Sequence, residues 1–119
     1  MSLRFEDLQV YQKSLTVVDE LYKVTKSFPS TELFLLTNQL RRAAISITLN
    51  IAEGSGRTKL EFQHFLNIAR TSCYECVAAL QIAERQGYLP KPSYQKLEGM
   101  ITEVVRMLNG LKQGIKPKN

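Results

Sequence analysis

With 119 residues, 44% of them hydrophobic and 23% charged, and a formal net charge of +5, the chain has the size of one domain, 1–119, and too much apolar content to stay disordered. Two cysteines are too few for a disulfide framework, and the spacing of Cys73 and Cys76 points to reduced thiols. Residues 1–10 lack the apolar run of a leader, and nothing approaches the roughly 18 apolar residues of a membrane span, so a cytoplasmic protein is expected.

From about Glu6, apolar and aromatic residues recur at Leu8, Tyr11, Leu15, Val18 and Tyr22, which is one face of a helix over 6–28. A second stripe, Val10, Val17, Leu21, Val24 and Phe28, runs beside it. Two stripes exceed what one core needs, so the extra face is expected to meet another subunit. Phe28 precedes Pro29, which drives it out of the helical region and ends the helix.

Ser30 or Thr31 is placed to cap a second helix over 30–53, with Glu32 in its first turn. Its core stripe reads Leu33, Leu36, Leu40, Ala43, Ile47 and Ile51, and Arg42, Ser46, Asn50 and Glu53 share a narrow polar stripe beside that face. Leu35, Ile45 and Leu49 leave the helix apolar on most sides, which predicts burial within a bundle. Gly54 and Gly56 are expected to end it, since glycine takes the left-handed C-terminal position at little steric cost.

Thr58 and Glu61 form a T-x-x-E capping box that opens a third helix over 58–86. Its core stripe is Phe62, Phe65, Ala69, Ser72 or Cys73, Cys76, Leu80 and Ala83, and Gly87 with Pro90 closes it. Pro92 suits the first turn of a fourth helix over 92–114, where Tyr94, Leu97, Ile101, Val104, Leu108, Leu111 and Ile115 keep a seven-residue repeat. Gly99 and Gly110 lie off that seam, and 115–119 reads as a basic, frayed tail. Four helices of about 30 Å joined by short turns predict an all-α, up-down-up-down four-helix bundle.

The basic excess concentrates in residues 31–60, with four basic side chains against two acidic ones, and in 91–119, with six against two. Such a distribution suits a polyanionic partner. Arg41, Arg42, Arg57 and Lys59 are the candidates to hold phosphates, the arginines through their forked donors. The competing reading pairs Arg42 with a carboxylate such as Glu53 or Glu75 and leaves Arg41 to an interface or solvent. For Arg42 the pairing is favoured, because a charge beside an apolar face is rarely left alone; for Arg41 both readings stand.

Ser46, Asn50, Glu53 and Glu75 are read as a structural polar stripe, with Asn50 satisfying the helix end at the glycine turn and Glu53 pairing with an arginine. One amide and one carboxylate are too few for a metal site, and Gly54-Ser55-Gly56-Arg57 lacks the spacing and lysine of a phosphate-cradling loop. Cys73-x-x-Cys76 has no second pair and His64 is the sole histidine, so structural cysteines are expected, with no metal and no cofactor. Arg57 and His64 match the loose R-x4-6-H spacing of helical-bundle ribonucleases, which keeps a metal-free nuclease as the least favoured alternative.

The run QLRRAAISITLNIAEGSGR, with Phe5-x-x-Leu8, Phe28-Pro29-x-x-Glu32, Glu61-Phe62-x-x-Phe65-Leu66-x-Ile68-Ala69, Ser72-x-x-Glu75 and Gly87-Tyr88-Leu89, resembles the four-helix family encoded in 23S rRNA intervening sequences, the S23 ribosomal protein family. A related branch is the accessory variability protein of diversity-generating retroelements. The resemblance implies a non-enzymatic, barrel-like homopentamer with a basic surface that binds nucleic acid, RNA ahead of DNA. It also makes a scaffold for a nucleic-acid enzyme such as a reverse transcriptase the main alternative. Arg70-Thr71-Ser72-Cys73 stands where the family more usually has a glycine-containing step.

Overall fold

The computed structural model describes residues 4–115, which places most of the basic tail 115–119 outside the described residues. Four helices carry the chain: α1 Gln9–Thr25, α2 Asn38–Ser55, α3 Lys59–Arg85 and α4 Lys91–Gly114, with no strand among the described residues. Each helix packs on its successor, α4 returns against α1, and α2 with α3 forms the most extensive pairing. The result is an up-down-up-down bundle of 49 × 26 × 20 Å.

α1 is shorter than the expected 6–28. Arg4–Asp7 forms a separate 3-10 turn, and Leu8 is extended at φ −75° and ψ 125°. At the other end, the amides of Ser27 and Phe28 reach back three residues to Val24 and Thr25 at 3.3 and 3.1 Å, tightening the chain before Pro29.

The core face of α1 is the stripe expected to be surplus. Val10, Val17, Leu21 and Phe28 are buried, whereas Leu8, Tyr11 and Val18 sit half-buried at the margin and Tyr22 is exposed. Two polar residues complete the buried row, each satisfied on its own helix: the Ser14 hydroxyl donates to the Tyr11 carbonyl and that of Thr25 to Leu21, both at 2.7 Å. Self-satisfied hydroxyls enter a core at little cost, so hydropathy alone misjudged the row's direction. The second stripe is therefore core and supplies no outer face for a subunit contact.

The stretch expected to begin helix two at residue 30 starts with a 3-10 turn, Ser30–Glu32, followed by a π-helical turn, Leu33–Thr37, before α2. Neither Ser30 nor Thr31 caps it; the Glu32 carboxylate accepts from the Leu36 amide at 3.4 Å. The wider π turn shifts the register. Leu33, expected in the core, lies outside it, beside Phe34 and Leu35, which are 85% and 67% exposed. From Leu40 onward the expected stripe is buried through Ala43, Ile47 and Ile51, and Ala44 joins it. The prediction of near-complete burial fails on the outer face, where Leu49 is 60% exposed.

Gly54 is not left-handed; among the described residues only Gly87, at φ 81°, has positive φ. Gly54 is helical, and the reason for glycine is the approach of α3. A Cβ there would lie 2.6 Å from that of Phe65 and 2.9 Å from the Phe62 ring. Gly56 caps the helix at φ −90°.

The capping box is formed: the Thr58 hydroxyl accepts from the Glu61 amide at 3.2 Å, and the Glu61 carboxylate accepts from the Thr58 amide at 3.3 Å. α3 buries Leu66, Ala69, Ser72, Cys73, Cys76, Ala79, Leu80 and Ala83, while Phe62 and Phe65 are half-buried over Gly54. α4 buries Leu97, Ile101, Val104 and Leu108 from its seven-residue seam.

Candidate functional site

The polar stripe of α2 faces α3 and becomes the wall of a cleft of about 300 Å³ lined by Gln39, Arg42, Ala43, Ser46, Ser72 and Glu75. Its floor is a hydroxyl pair, Ser46 with Ser72 at 2.9 Å. Asn50 does not reach the glycine turn as expected; its Nδ2 donates one turn back, to the Ser46 carbonyl at 2.8 Å and the Ser46 hydroxyl at 3.0 Å.

Above the floor, the Glu75 carboxylate takes the Gln39 amide rather than Arg42. Glu53 is also taken, by Arg57 at 2.7 Å. The expected pairing of Arg42 with either carboxylate is thus overturned, and among the described residues Arg42 has no ion pair. The reason is geometric. Gln39, one turn before Arg42 on the same cleft wall, holds Glu75, while i,i+4 spacing gives Glu53 to Arg57.

Arg41 points the other way, toward α1. Its Nε donates to the Thr25 hydroxyl at 2.9 Å, and its guanidinium lies 4.6 Å from the centre of the Tyr22 ring. A cation held over an aromatic face and hydrogen-bonded at the same time fastens α2 to the end of α1.

Arg57 lies about 22 Å from Arg42 along the helix axis, at the opposite end of the bundle. Its guanidinium contacts Glu53 and, at 3.7 Å, Glu61, and stands 5.3 Å from the centre of the Phe65 ring. The four candidate basic residues therefore form no single patch: Arg41 is engaged within the fold, Arg42 lines the α2–α3 cleft, and Arg57 with exposed Lys59 marks the glycine-turn end. An open hollow of about 540 Å³ at that end is lined by Arg4, Phe5, Ala52, Ser55, Gly56 and Arg57. Arg4 was missed by the sequence reading because only the fold of the N-terminal turn against the end of α2 brings it there.

His64 is exposed on α3 and contacts Phe65 edge-on, with ring centres 6.0 Å apart. Arg57 touches the same phenylalanine, with its guanidinium directed at the Glu53 and Glu61 carboxylates.

Cys73 and Cys76 are buried free thiols, and burial pushes both up to about 12. Neutral thiols buried in an apolar core neither ligate nor attack. Among the described residues no group of three or more His, Cys, Asp or Glu is placed to hold a metal ion. Nor is any helix among the described residues long and apolar enough to cross a membrane.

Comparison with curated proteins gives no match. Among solved structures, the chain is similar to a protein of unknown function from the S23 ribosomal protein family of Bacteroides thetaiotaomicron. The TM-score is 0.81 at 24% identity, over 87% of this chain and 95% of that one. At that identity the likeness speaks for the fold, and it is the same four-helix fold. The model of the 23S rRNA-intervening sequence protein family matches residues 6–110. That span runs from the N-terminal turn to within a few residues of the end of α4, so the chain belongs to the 23S rRNA-intervening sequence protein family.

Proposed function

We propose that the protein binds nucleic acid through the glycine-turn end of the bundle, without performing chemistry on it. The observation that carries this is the hollow that Arg4 and Arg57 line together with Ser55 and Gly56, beside exposed Lys59 at the start of α3. Arginine forks suit phosphate oxygens. The carboxylates now holding Arg57 form exposed ion pairs, worth about 0–1 kcal/mol each, which a phosphate can displace. The formal charge of +5 favours a polyanion, and the family's name in 23S rRNA intervening sequences favours RNA over DNA.

The test is binding of a labelled RNA hairpin and of duplex DNA across a salt series, comparing the native chain with an Arg4→Glu, Arg57→Glu, Lys59→Glu variant. Affinity should fall, and the slope of log K against log salt should flatten by about 2. Unchanged affinity in a variant with an intact helical spectrum refutes the reading. Arg41 is left out of this test because its contacts with Tyr22 and Thr25 make it part of the fold.

A second reading, a scaffold for a protein partner such as a reverse transcriptase, draws on the exposed Leu33, Phe34 and Leu35 at the other end. Self-association, as a pentamer by the resemblance noted above, is proposed for the same reason. Light scattering in the binding buffers measures it.

A further inference from the structure

The cleft between α2 and α3 holds two opposite charges that do not meet. Arg42 and Glu75 both line it, yet Glu75 is bonded to the Gln39 amide and Arg42 has no ion pair among the described residues. One wall therefore offers a forked donor and the other a carboxylate whose Oε2 is held by Gln39 and whose Oε1 is open. The floor is already committed: Ser46 and Ser72 bond each other, and Asn50 bonds Ser46. At about 300 Å³ the cleft is at the small end of ligand pockets, with room for one flat heterocycle and none for a helix or duplex.

We infer that this cleft takes a single unstacked guanine of the bound nucleic acid; the inference rests on the nucleic-acid reading above. Guanine presents neighbouring N1–H and N2–H donors and, beside them, the O6 and N7 acceptors. Glu75 accepts from the donor pair, the exposed Gln39 amide giving way to the base, and the Arg42 fork donates to the acceptor pair. Adenine and cytosine turn a ring-nitrogen acceptor toward the carboxylate, and uracil offers it one donor, so among the common bases only guanine matches both walls at once. The cleft and the glycine-turn end share α2, about 22 Å apart, a distance that several nucleotides of single strand can span.

RNA hairpins with one stem and a loop carrying guanine, inosine, 7-deazaguanine or adenine at one position test this directly. Guanine should bind about tenfold tighter than adenine, with inosine, which lacks the N2 amino group, and 7-deazaguanine, which lacks N7, in between. Glu75→Leu, which leaves no acceptor on that wall, should bring the guanine-to-inosine ratio toward one. Arg42→Lys, which keeps the charge and loses the fork, should do the same for guanine against 7-deazaguanine. Equal affinity for all four loops with ordinary salt dependence overturns the inference and leaves the nucleic-acid reading standing. A Glu75→Leu variant that still prefers guanine to inosine also overturns it. No binding to any hairpin at low salt overturns both.

Discussion

Gly54→Ala adds a methyl group where α2 and α3 leave no room for one. The new carbon would stand 2.6 Å from Phe65 Cβ and 2.9 Å from Phe62 Cδ1. The Phe62 ring can turn aside, but Phe65 Cβ is fixed to the backbone of α3, so relief requires the two helices to part by about 1 Å, toward ordinary carbon contact distances. Overpacking of this kind costs about 1–3 kcal/mol, and a clash on a Cβ that cannot turn aside belongs in the upper part, about 2–3 kcal/mol; alanine recovers roughly 1 kcal/mol of helix propensity over glycine. The net expectation is a loss of about 1–2 kcal/mol, read as a fall of about 4–8 °C in melting temperature by circular dichroism at one protein concentration. Gly99→Ala is the internal control. Nothing lies within 4 Å of a Cβ at that exposed position on α4, so the change should stabilise by about 0.5–1 kcal/mol. A Gly54→Ala protein as stable as the parent would refute the close-approach account. A destabilised Gly99→Ala protein would instead place a neighbouring molecule on α4.

The buried Ser14 and Thr48 hydroxyls, 2.9 Å apart, tie α1 to α2; Ser14→Ala should cost about 1 kcal/mol in urea melts. The double change Ser14→Ala, Thr48→Val should cost less than the sum of the single changes, and strict additivity would mean the pair does not interact. Iodoacetamide at pH 8 should leave Cys73 and Cys76 unmodified in the native protein and label both in urea, given thiols pushed up to about 12; rapid native labelling would contradict their burial. The Thr58 hydroxyl, then the Thr58 amide, hold the Glu61 carboxyl below its ordinary 4.5. A carboxylate depressed in the folded state contributes stability that is present above 4.5 and is lost as pH falls through the lower folded value. Thr58→Ala should return the Glu61 titration, followed by NMR, toward 4.5, and an unmoved titration would remove the capping box as its cause.

Periodicity, caps and breakers were legible in the residues because each acts within one turn of chain. The 3.6-residue recurrence placed four helices, Thr58 and Glu61 fixed the start of α3 through their own hydrogen bonds, and Gly87 met the positive φ that its turn requires. The seven-residue seam of α4 gave Leu97, Ile101, Val104 and Leu108 as core for the same reason.

What a residue meets across the bundle depends on how helices rotate and approach, and that the chain decides only when folded. Two apolar stripes on α1 were equal by hydropathy; packing selected Val10, Val17 and Leu21, because Ser14 and Thr25 between them satisfy their hydroxyls locally and add no charge to bury. The π turn at Leu33–Thr37 moved Leu33 out of register, and the proximity of Phe65 turned Gly54 from a helix terminator into a contact point. The polar partners followed suit: Glu53 took Arg57 and Glu75 took the Gln39 amide, so the sequence alone could list the charged residues of the site but only the relative placement of α2 and α3 left Arg42 open beside a carboxylate it does not touch.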